Sequence, residues 1–449
     1  MPLDARATFP PAEGRTPGFA GKSGPLGTLS RHRDFRRLFI GNAVSLLGSS
    51  VTTVALPLTA VVYLHASPAQ MGLLGAVALL PHLLLGLPAG VWVDRGQYRR
   101  TLVATDAAQT VLLGSLPVLA AVGMLRIWQL YAVVTLAGVA NLFETVTAQS
   151  LTPHLVPREE LLPANSALML SNTTVNTTGS ALGGLLVTLF SAPAALLVDA
   201  VSFLISGLCK ARIRHPEATT RPPAPRGLTL RTDIAAGLHA LFSHRLLRPV
   251  ILAGTVGAFA GQIQAVALVL FMVHDLALPS ALVGAAVAVS GAAGVLGASA
   301  AHRLTARVGP GPAFVGGMTL SSLAGFVLAC ATGPVALSFS VLLTAQLLRG
   351  AGPSVFGINQ QTLRQSMIAP ALLSRANATW RFLVYGGQSL GALLGGLLGT
   401  VLGLRATLVV SGCLMLAGTG IAFLSPLRGL RELPERSEES TRPPTQAKN

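Results

Sequence analysis

The stretch that decides the fold reads Gly90-Val91-Trp92-Val93-Asp94-Arg95-Gly96-Gln97-Tyr98-Arg99-Arg100. It places one acid and three arginines between two long apolar runs. A charged side chain costs at least ~2.5–3.5 kcal/mol at the centre of a bilayer, so a charge cluster this dense must lie where a membrane ends. The stretch therefore predicts a hairpin at a membrane surface, with a membrane-spanning helix on either side.

The composition of the chain also indicates a membrane protein. Its 449 residues are 51% apolar and 11% charged, whereas soluble chains carry ~25% charged residues. The formal charge of +16 would indicate nucleic-acid binding in a soluble protein. Here we assign it to loops on one membrane face and expect no nucleic-acid partner. The three cysteines show no paired or metal-site spacing, so we expect reduced thiols and neither a metal nor another cofactor.

Twelve apolar runs, each long enough to cross a bilayer core of ~30 Å, follow one another along the chain. They cover about 38–64, 71–93, 101–125, 128–151, 164–190, 192–209, 249–273, 281–302, 312–331, 335–358, 376–401 and 405–424. The connections are short except for the Pro/Arg-rich residues 210–248, which indicate a linker. The predicted fold is an all-α membrane protein with twelve transmembrane helices in two groups of six.

The predicted domains follow from these runs. They are a basic cytoplasmic tail (1–37), an N-terminal six-helix half (38–209), a cytoplasmic linker (210–248), a C-terminal six-helix half (249–425) and a disordered cytoplasmic tail (426–449). In the linker, apolar residues recur at helical spacing and favour an interfacial amphipathic helix; an ordinary solvated linker is the alternative. These residues are Leu230, Ile234, Leu238, Leu241 and Phe242.

Lysine and arginine predict the orientation, because they are retained on the cytoplasmic side. With both termini inside, 29 of the 32 lysines and arginines fall on one face. This count includes Lys210 as a linker charge. Only Arg126 and Arg405 fall on the opposite face, and Arg349 lies within a span. The predicted location is the cytoplasmic membrane, with both termini in the cytoplasm.

The two halves are related by a constant shift in residue number, which indicates an internal repeat. The shift places His32 on His244, Gly138 on Gly350 and Gln149 on Gln361, and we call it the repeat shift. It also places Gly179-Ser180-Ala181-Leu182-Gly183-Gly184 on Gly391-Ala392-Leu393-Leu394-Gly395-Gly396. We interpret Gly179, Gly183, Gly184, Gly391, Gly395 and Gly396 as helix-packing residues. The halves are therefore predicted to be pseudo-repeats.

These motifs resemble the major facilitator superfamily, and within it the drug:proton antiporters related to macrolide-efflux and enterobactin exporters. The resemblance rests on the hairpin Gly90 to Arg100, on the repeated glycine motif, on Asp34-Phe35-Arg36-Arg37-Leu38 and on Val198-Asp199-Ala200-Val201-Ser202-Phe203. It implies that Asp94, Arg95, Arg99 and Arg100 form a cytoplasmic latch that holds one transport state closed. A charge cluster with a purely topological role is the alternative.

The chain departs from the family pattern at two positions. The glycine that the family has in the hairpin is Gln97 here, and the proline of the antiporter motif is Ser180. Proline would kink the helix by removing a hydrogen bond, so the assignment of antiport cannot rest on this motif alone.

Three acids lie within apolar runs and are candidates for proton transfer, because a buried acid in a membrane by default faces a cavity or a partner. Glu144 lies about two-thirds along the fourth run and is either a proton carrier beside the substrate cavity or a structural residue. Asp199, in the sixth run, is expected to support the structure. Asp106 lies two turns into the third run, and we expect it to pair with Arg99 or Arg100.

Three further polar residues are candidates for contact with the substrate. Arg349 counters an acid or contacts the substrate, or it forms a purely structural ion pair. Asn172 and Asn176 share one face of the unusually polar fifth run, which we expect to point inward.

The predicted function is that of a secondary active transporter, a monomer that exports an amphipathic small molecule such as a drug, macrolide or siderophore in exchange for protons. No phosphate-binding Gly-x-x-x-x-Gly-Lys-Ser/Thr motif occurs, so we expect no ATP drive, and the absence of a catalytic constellation argues against enzymatic activity. The alternatives are a proton-coupled importer of a polar nutrient and, from another class, a polytopic membrane enzyme or a non-transporting scaffold. The partners are thus the substrate, protons and the lipid bilayer.

Overall fold

The computed structural model describes residues 25–157, 160–214, 237–368 and 370–432; at some helical positions, Asp94 and Arg95 among them, the side chain lies outside this description. A short helix α1, Pro25–Arg31, precedes twelve long ones. These are α2 Arg33–Leu58, α3 Pro68–Arg95, α4 Tyr98–Ala121, α5 Ile127–Leu155, α6 Leu161–Phe190, α7 Ala192–Ala211, α8 Leu247–Leu270, α9 Ser280–Val308, α10 Pro310–Ala329, α11 Val335–Met367, α12 Pro370–Val401 and α13 Leu404–Phe423.

The long helices have the dimensions of membrane spans. Eleven of them are long and apolar enough to cross a membrane over their described residues. The twelfth is α6, whose 30 residues reach ~45 Å and include the Ser/Thr/Asn-rich stretch between Ser171 and Thr178. It packs against α2 and α9. The prediction of an all-α membrane protein is confirmed.

The backbone repeats at the shift that the sequence predicts. The repeat shift takes both ends of α7 onto the corresponding ends of α13. Helices α2 and α8 both end in a five-residue π-helical turn, at Thr59–Tyr63 and at Phe271–Asp275. Just after these turns, His65 and Ala277 both adopt a positive φ, 52° and 48°. The two halves therefore share even the irregular features of their backbones.

Helices α2 to α7 form one bundle and α8 to α13 a second. The main contacts between the bundles are made by α3 with α12 and by α6 with α9. We call the membrane face that carries Pro25, the turn 96–97 and Glu432 the tail face. The opposite face carries the turns 64–67 and 276–279. These two helix pairs therefore hold the two halves together.

Glycines bring α3 and α12 into contact at the opposite face. A methyl group on Gly72 would lie 2.7 Å from the carbonyl oxygen of Ala392 and from Cα of Gly396. One on Gly396 would lie 2.7 Å from the carbonyl oxygen of Pro68. Towards the tail face, a methyl group on Gly86 would meet nothing within 4 Å. At the opposite face, α3 and α12 are therefore in contact backbone to backbone. We call this contact the glycine seal.

Segments at the tail face pack against the bundle. Helix α1 contacts α6, and residues 237–242 are helical with Leu241 buried. Most of the predicted amphipathic helix, including Leu230 and Ile234, lies outside the described residues. The segment predicted as a disordered tail instead begins with an ordered 3-10 turn, Pro426–Gly429. It is ordered because Leu427 is buried and the N–H of Gly311 donates to the carbonyl of Leu430 at 3.1 Å.

Candidate functional site

A buried cluster of three charged side chains lies inside the N-terminal half, among α4, α5 and α7. Lys210, the second-to-last residue of α7, has no exposed surface. Its Nζ lies 2.6 Å from Oε1 of Glu144 and 3.0 Å from Oδ2 of Asp106. We call these residues the acid–lysine cluster. One lysine here serves two carboxylates from two different helices.

Neutral donors complete the shell around the two carboxylates. Ser206 Oγ donates to Asp106 at 3.0 Å, and Gln109 Nε2 donates to Glu144 at 2.8 Å. Asp106 and Gln109 are three residues apart on α4, and Ser206 and Lys210 are four apart on α7, so each pair shares a helix face. Each carboxylate is therefore held by a lysine and by one neutral donor.

Small residues give the cluster its space. A methyl group on Gly207 would lie 3.2 Å from Cβ of Asp106, and one on Gly41 would lie 3.4 Å from Cε of Lys210. The first contact is tighter than ordinary van der Waals packing, and the second lies at its lower limit. Glycine at these positions lets α4 approach α7, and lets the lysine stem pass beside α2.

The expected pairing of Asp106 with Arg99 or Arg100 is wrong. Asp106 lies two turns beyond the start of α4 and faces α7, so its ionic partner is Lys210. Arg99 Nη1 instead donates to the carbonyl of Ile213 at 3.2 Å, and Arg100 is exposed. Lys210, counted above as a linker charge, is a buried residue of the membrane helix. Arg99 and Arg100 thus remain at the surface of the tail face.

Asp199 lies deeper in α7 and is only 1% exposed. Its carboxylate accepts hydrogen bonds from Thr52 Oγ1 at 2.5 Å and from Ser202 Oγ at 3.1 Å. Ser49 Oγ donates to it at 3.4 Å. None of the ion pairs in the described part of the chain involves Asp199. It therefore joins α7 to α2 through hydroxyl groups alone.

The charges of the acid–lysine cluster do not balance when every group is ionised. Two carboxylates then face one ammonium, which leaves one negative charge in a site that is almost completely buried. An uncompensated charge in a low-dielectric interior is expensive, and the usual remedy is to bind a proton. One bound proton would therefore balance the three charges of the cluster.

The C-terminal half does not repeat this chemistry. The repeat shift takes Asp106 to Met318, Glu144 to Phe356 and Lys210 to Ala422. Met318 and Ala422 are completely buried. The repeat therefore preserves the packing of these positions but replaces the charges by apolar side chains.

The predicted packing glycines lie at close helix contacts. A methyl group on Gly183 of α6 would lie 3.1 Å from Cα of Val51, and one on Gly395 of α12 would lie 3.0 Å from Cα of Ile263. Gly179 approaches Ser50 and Gly391 approaches Phe259 in the same way. The surroundings of Gly184 lie outside the description. The repeated motif thus brings α6 onto α2 and α12 onto α8.

The remaining predicted residues are not brought into one site. The side chains of Asp94 and Arg95 lie outside the described residues, and so does that of Asn176. Asn172 is exposed and donates to the carbonyl of Leu168 at 2.9 Å. Arg349 is partly buried in α11, and none of the ion pairs in the described part of the chain includes it. Within the same part, no group of three or more histidine, cysteine or acidic side chains is placed to hold a metal ion.

Comparison with known proteins places the whole chain in one family. The model of the transmembrane secretion effector family matches residues 23–448. The uncharacterized MFS-type transporter YfiS of Bacillus subtilis is 24% identical over 84% of this chain and 90% of its own length. The enterobactin exporter EntS of Escherichia coli O1:K1 is 26% identical over 91% of this chain and 96% of its own. The macrolide efflux protein A of Streptococcus pyogenes is 23% identical over 50% of this chain and 55% of its own length.

Solved transporter structures share the fold. A mutant of the nucleoside transporter NupG superposes with a TM-score of 0.72 at 14% identity, covering 87% of this chain and 99% of its own. The inward-facing structure of a bacterial homologue of the iron transporter ferroportin, which is 17% identical, gives a TM-score of 0.66 and covers 87% of this chain and 98% of its own. Its outward-facing state gives 0.54 at 18% identity over the same shares. With its two repeated six-helix bundles, the chain belongs to the transmembrane secretion effector family of the major facilitator superfamily and is a multi-pass membrane transporter.

Proposed function

We propose that this protein is a proton-coupled exporter of amphipathic small molecules from the cytoplasm, and that it works as a monomer. The observation that carries the proposal is the acid–lysine cluster, in which two acids and one lysine lie buried together inside a transporter bundle. Two of the relatives, the enterobactin exporter and the macrolide efflux protein, carry exporter names at low identity. The cluster supports coupling of transport to protons, and the names of the relatives support export as the direction of transport.

The cluster links protonation to the arrangement of helices. When both acids are ionised, Lys210 holds α4 and α5 to α7 at the same time. When one acid takes up a proton, the lysine keeps a full ionic partner on one helix only. Uptake of a proton therefore weakens one of the two ionic links to α7. Such a change can shift the equilibrium between two bundle arrangements only as far as the two arrangements differ in their affinity for the proton.

In the proposed transport mechanism, the hairpin between α3 and α4 is the latch that holds one transport state closed. Asp94, Arg95, Arg99 and Arg100 lie at the tail face, where Gly86 of α3 has open space beside it. A carboxylate near the positive N-terminus of a helix gains ~0.3–2 kcal/mol, so the hairpin would close the tail face once the halves approach. The sealed opposite face and the higher TM-score to the inward-facing ferroportin homologue support a state that is open at the tail face.

The proposed orientation places the tail face in the cytoplasm. Of the 29 lysines and arginines assigned to that side, Lys210 and Arg364 are buried, and the other 27 of the 32 still fall there. We expect Ser67→Cys to react with an impermeant thiol reagent added to intact cells, and Gln97→Cys not to react. Both side chains are exposed, and they lie at opposite ends of α3. The measurement is labelling in a background in which the three native cysteines are replaced. Labelling of Gln97→Cys from outside the cell would reverse the orientation.

The coupling is tested with the wild-type protein in proteoliposomes. A lipophilic fluorescent dye that efflux pumps accept is the probe, and transport is measured with and without an imposed pH gradient. The expected result is accumulation against the concentration gradient of the dye, in the direction opposite to proton flow. A protein that transports the dye equally well without the pH gradient is not a proton antiporter.

A further inference from the structure

Arg364, near the tail-face end of α11, is a buried cation with unused hydrogen-bonding capacity. It is only 9% exposed, and its Nε and Nη1 have no hydrogen-bond partner in the described part of the chain. Its guanidinium carbon lies 5.3 Å from the ring centroid of Trp380 on α12. A buried charge is normally paired. Among the described residues, the contact found for this cation is the face of an aromatic ring.

The same guanidinium forms part of the wall of a cavity. The cavity has a volume of about 380 Å³ and lies between α11 and α12. Ser354, Gln361 and Trp380 also line it, together with the apolar surface of Ile358. A methyl group on Gly357 would meet nothing within 4 Å, so the space beside α11 is open. The cavity combines one cation, an aromatic face and a few neutral polar groups.

No acid of the surrounding half balances this cation. Between residues 247 and 423 the sequence contains one acid, Asp275, which ends the π-helical turn at the opposite face. Arg381 lies within electrostatic range of both Arg364 and His82 of α3. His82 in turn contacts Tyr385, with ring centroids 5.0 Å apart. The positive charge therefore lies where the two halves meet, next to further aromatic rings.

We propose that this cavity binds the anionic group of an amphipathic cargo, with Arg364 as the anion ligand and Trp380 as the surface on which a flat apolar part of the cargo packs. Hydrogen bonds from a guanidinium to a carboxylate are charge-assisted and roughly twice as strong as neutral ones. Nε and Nη1 of Arg364 have no partner among the described residues, so each has an N–H that can donate to the anionic group. The inference rests on the proposed transport function and narrows its substrate class to anions.

The test measures binding to the purified protein in phosphatidylcholine nanodiscs by equilibrium dialysis. The probes are radiolabelled 1-naphthylacetate and its neutral amide, 1-naphthylacetamide, which share the ring and differ in charge. We expect the wild-type protein to bind the acid roughly tenfold or more tightly than the amide, as a hydrogen bond to a charged group allows. Arg364→Gln should bind both probes equally, and Trp380→Ala should weaken the binding of both.

The matched control is Arg307→Gln, which removes one exposed positive charge from α9 outside the cavity. It should keep the wild-type preference for the acid. A wild-type protein that does not distinguish acid from amide overturns the proposal, and so does an acid preference that persists in a folded Arg364→Gln. Loss of the preference in nanodiscs that contain phosphatidylglycerol would identify a lipid headgroup as the anion and also overturn the proposal of an anionic cargo.

This experiment separates the binding site from proton coupling, because binding requires no pH gradient. If the preference for the acid depends on Arg364 but efflux does not respond to the pH gradient, the proposed binding site is supported and the proposed proton coupling is contradicted. If efflux of the dye is driven by protons but the protein shows no preference for the acid, the proton coupling is supported and the proposed binding site is contradicted.

Discussion

Lys210→Met should strongly destabilise the protein, by about 3–5 kcal/mol, because it leaves the carboxylates of Asp106 and Glu144 buried without a cation. The measurement is the thermal unfolding temperature of the purified protein in detergent, together with the yield of monodisperse protein. The methionine occupies the space of the lysine stem, so the loss reports on the missing charge rather than on a cavity.

Two matched variants separate charge from packing. Arg212→Met removes an exposed positive charge two residues along the chain and should leave the unfolding temperature nearly unchanged. The triple variant Asp106→Asn, Glu144→Gln, Lys210→Met neutralises all three groups and should recover most of the stability, because a neutral cluster contains no buried uncompensated charge. Unfolding of Lys210→Met at the wild-type temperature would show that the three side chains do not form an ionic cluster in the membrane.

The second large effect is expected on transport. Glu144→Gln should keep binding of the fluorescent dye but reduce its proton-driven accumulation at least tenfold. The reason is the charge of the cluster: Lys210 then faces Asp106 alone, the charges balance at all times, and no proton is needed to neutralise the site. Asp106→Asn removes the same excess charge and should behave alike. Both variants are compared with the wild type in proteoliposomes, with and without an imposed pH gradient.

Asp199→Asn is the control acid. Its carboxylate binds three hydroxyl groups and has no ionic partner among the described residues, so the substitution should lower the folded yield while the folded fraction still responds to the pH gradient. If Glu144→Gln responded fully and Asp199→Asn did not, the roles would be reversed and α7 would carry the proton at Asp199.

The general architecture could be predicted from the sequence because the bilayer imposes strong constraints on it. The density of charge at Asp94 to Arg100 determines where α3 and α4 turn, and the repeat shift predicts a similarity of the halves that extends even to the π-helical turns. These are local or periodic signals. They need no knowledge of which side chains touch across helices.

The candidate site can be predicted only in part, because it depends on which side chains touch across helices. Glu144, Asp106 and Asp199 stand out as acids in apolar runs, but Lys210 directly follows Cys209 at the end of such a run and was counted as a loop charge. A polar stripe could have revealed it, since Asp199, Ser202, Ser206 and Lys210 recur at helical spacing on α7. Arg364 could not be predicted because it lies just beyond the tenth apolar run, where a positive charge is expected at the membrane surface. The rotation of each helix about its axis is set by packing, and a single sequence does not fix that rotation.

Among the described residues, no ion pair and no titratable hydrogen bond joins α3 to α12 at the glycine seal. Gly72 and Gly396 meet through backbone atoms, so separating the two helices costs dispersion and the exposure of a small apolar area. The free energy of opening at that face should therefore be nearly independent of ionic strength and of pH, whereas the cluster around Lys210 responds to protons. The contact that closes one side of the membrane would thus be insensitive to pH. The group that responds to protons would be a separate one, buried in the N-terminal half.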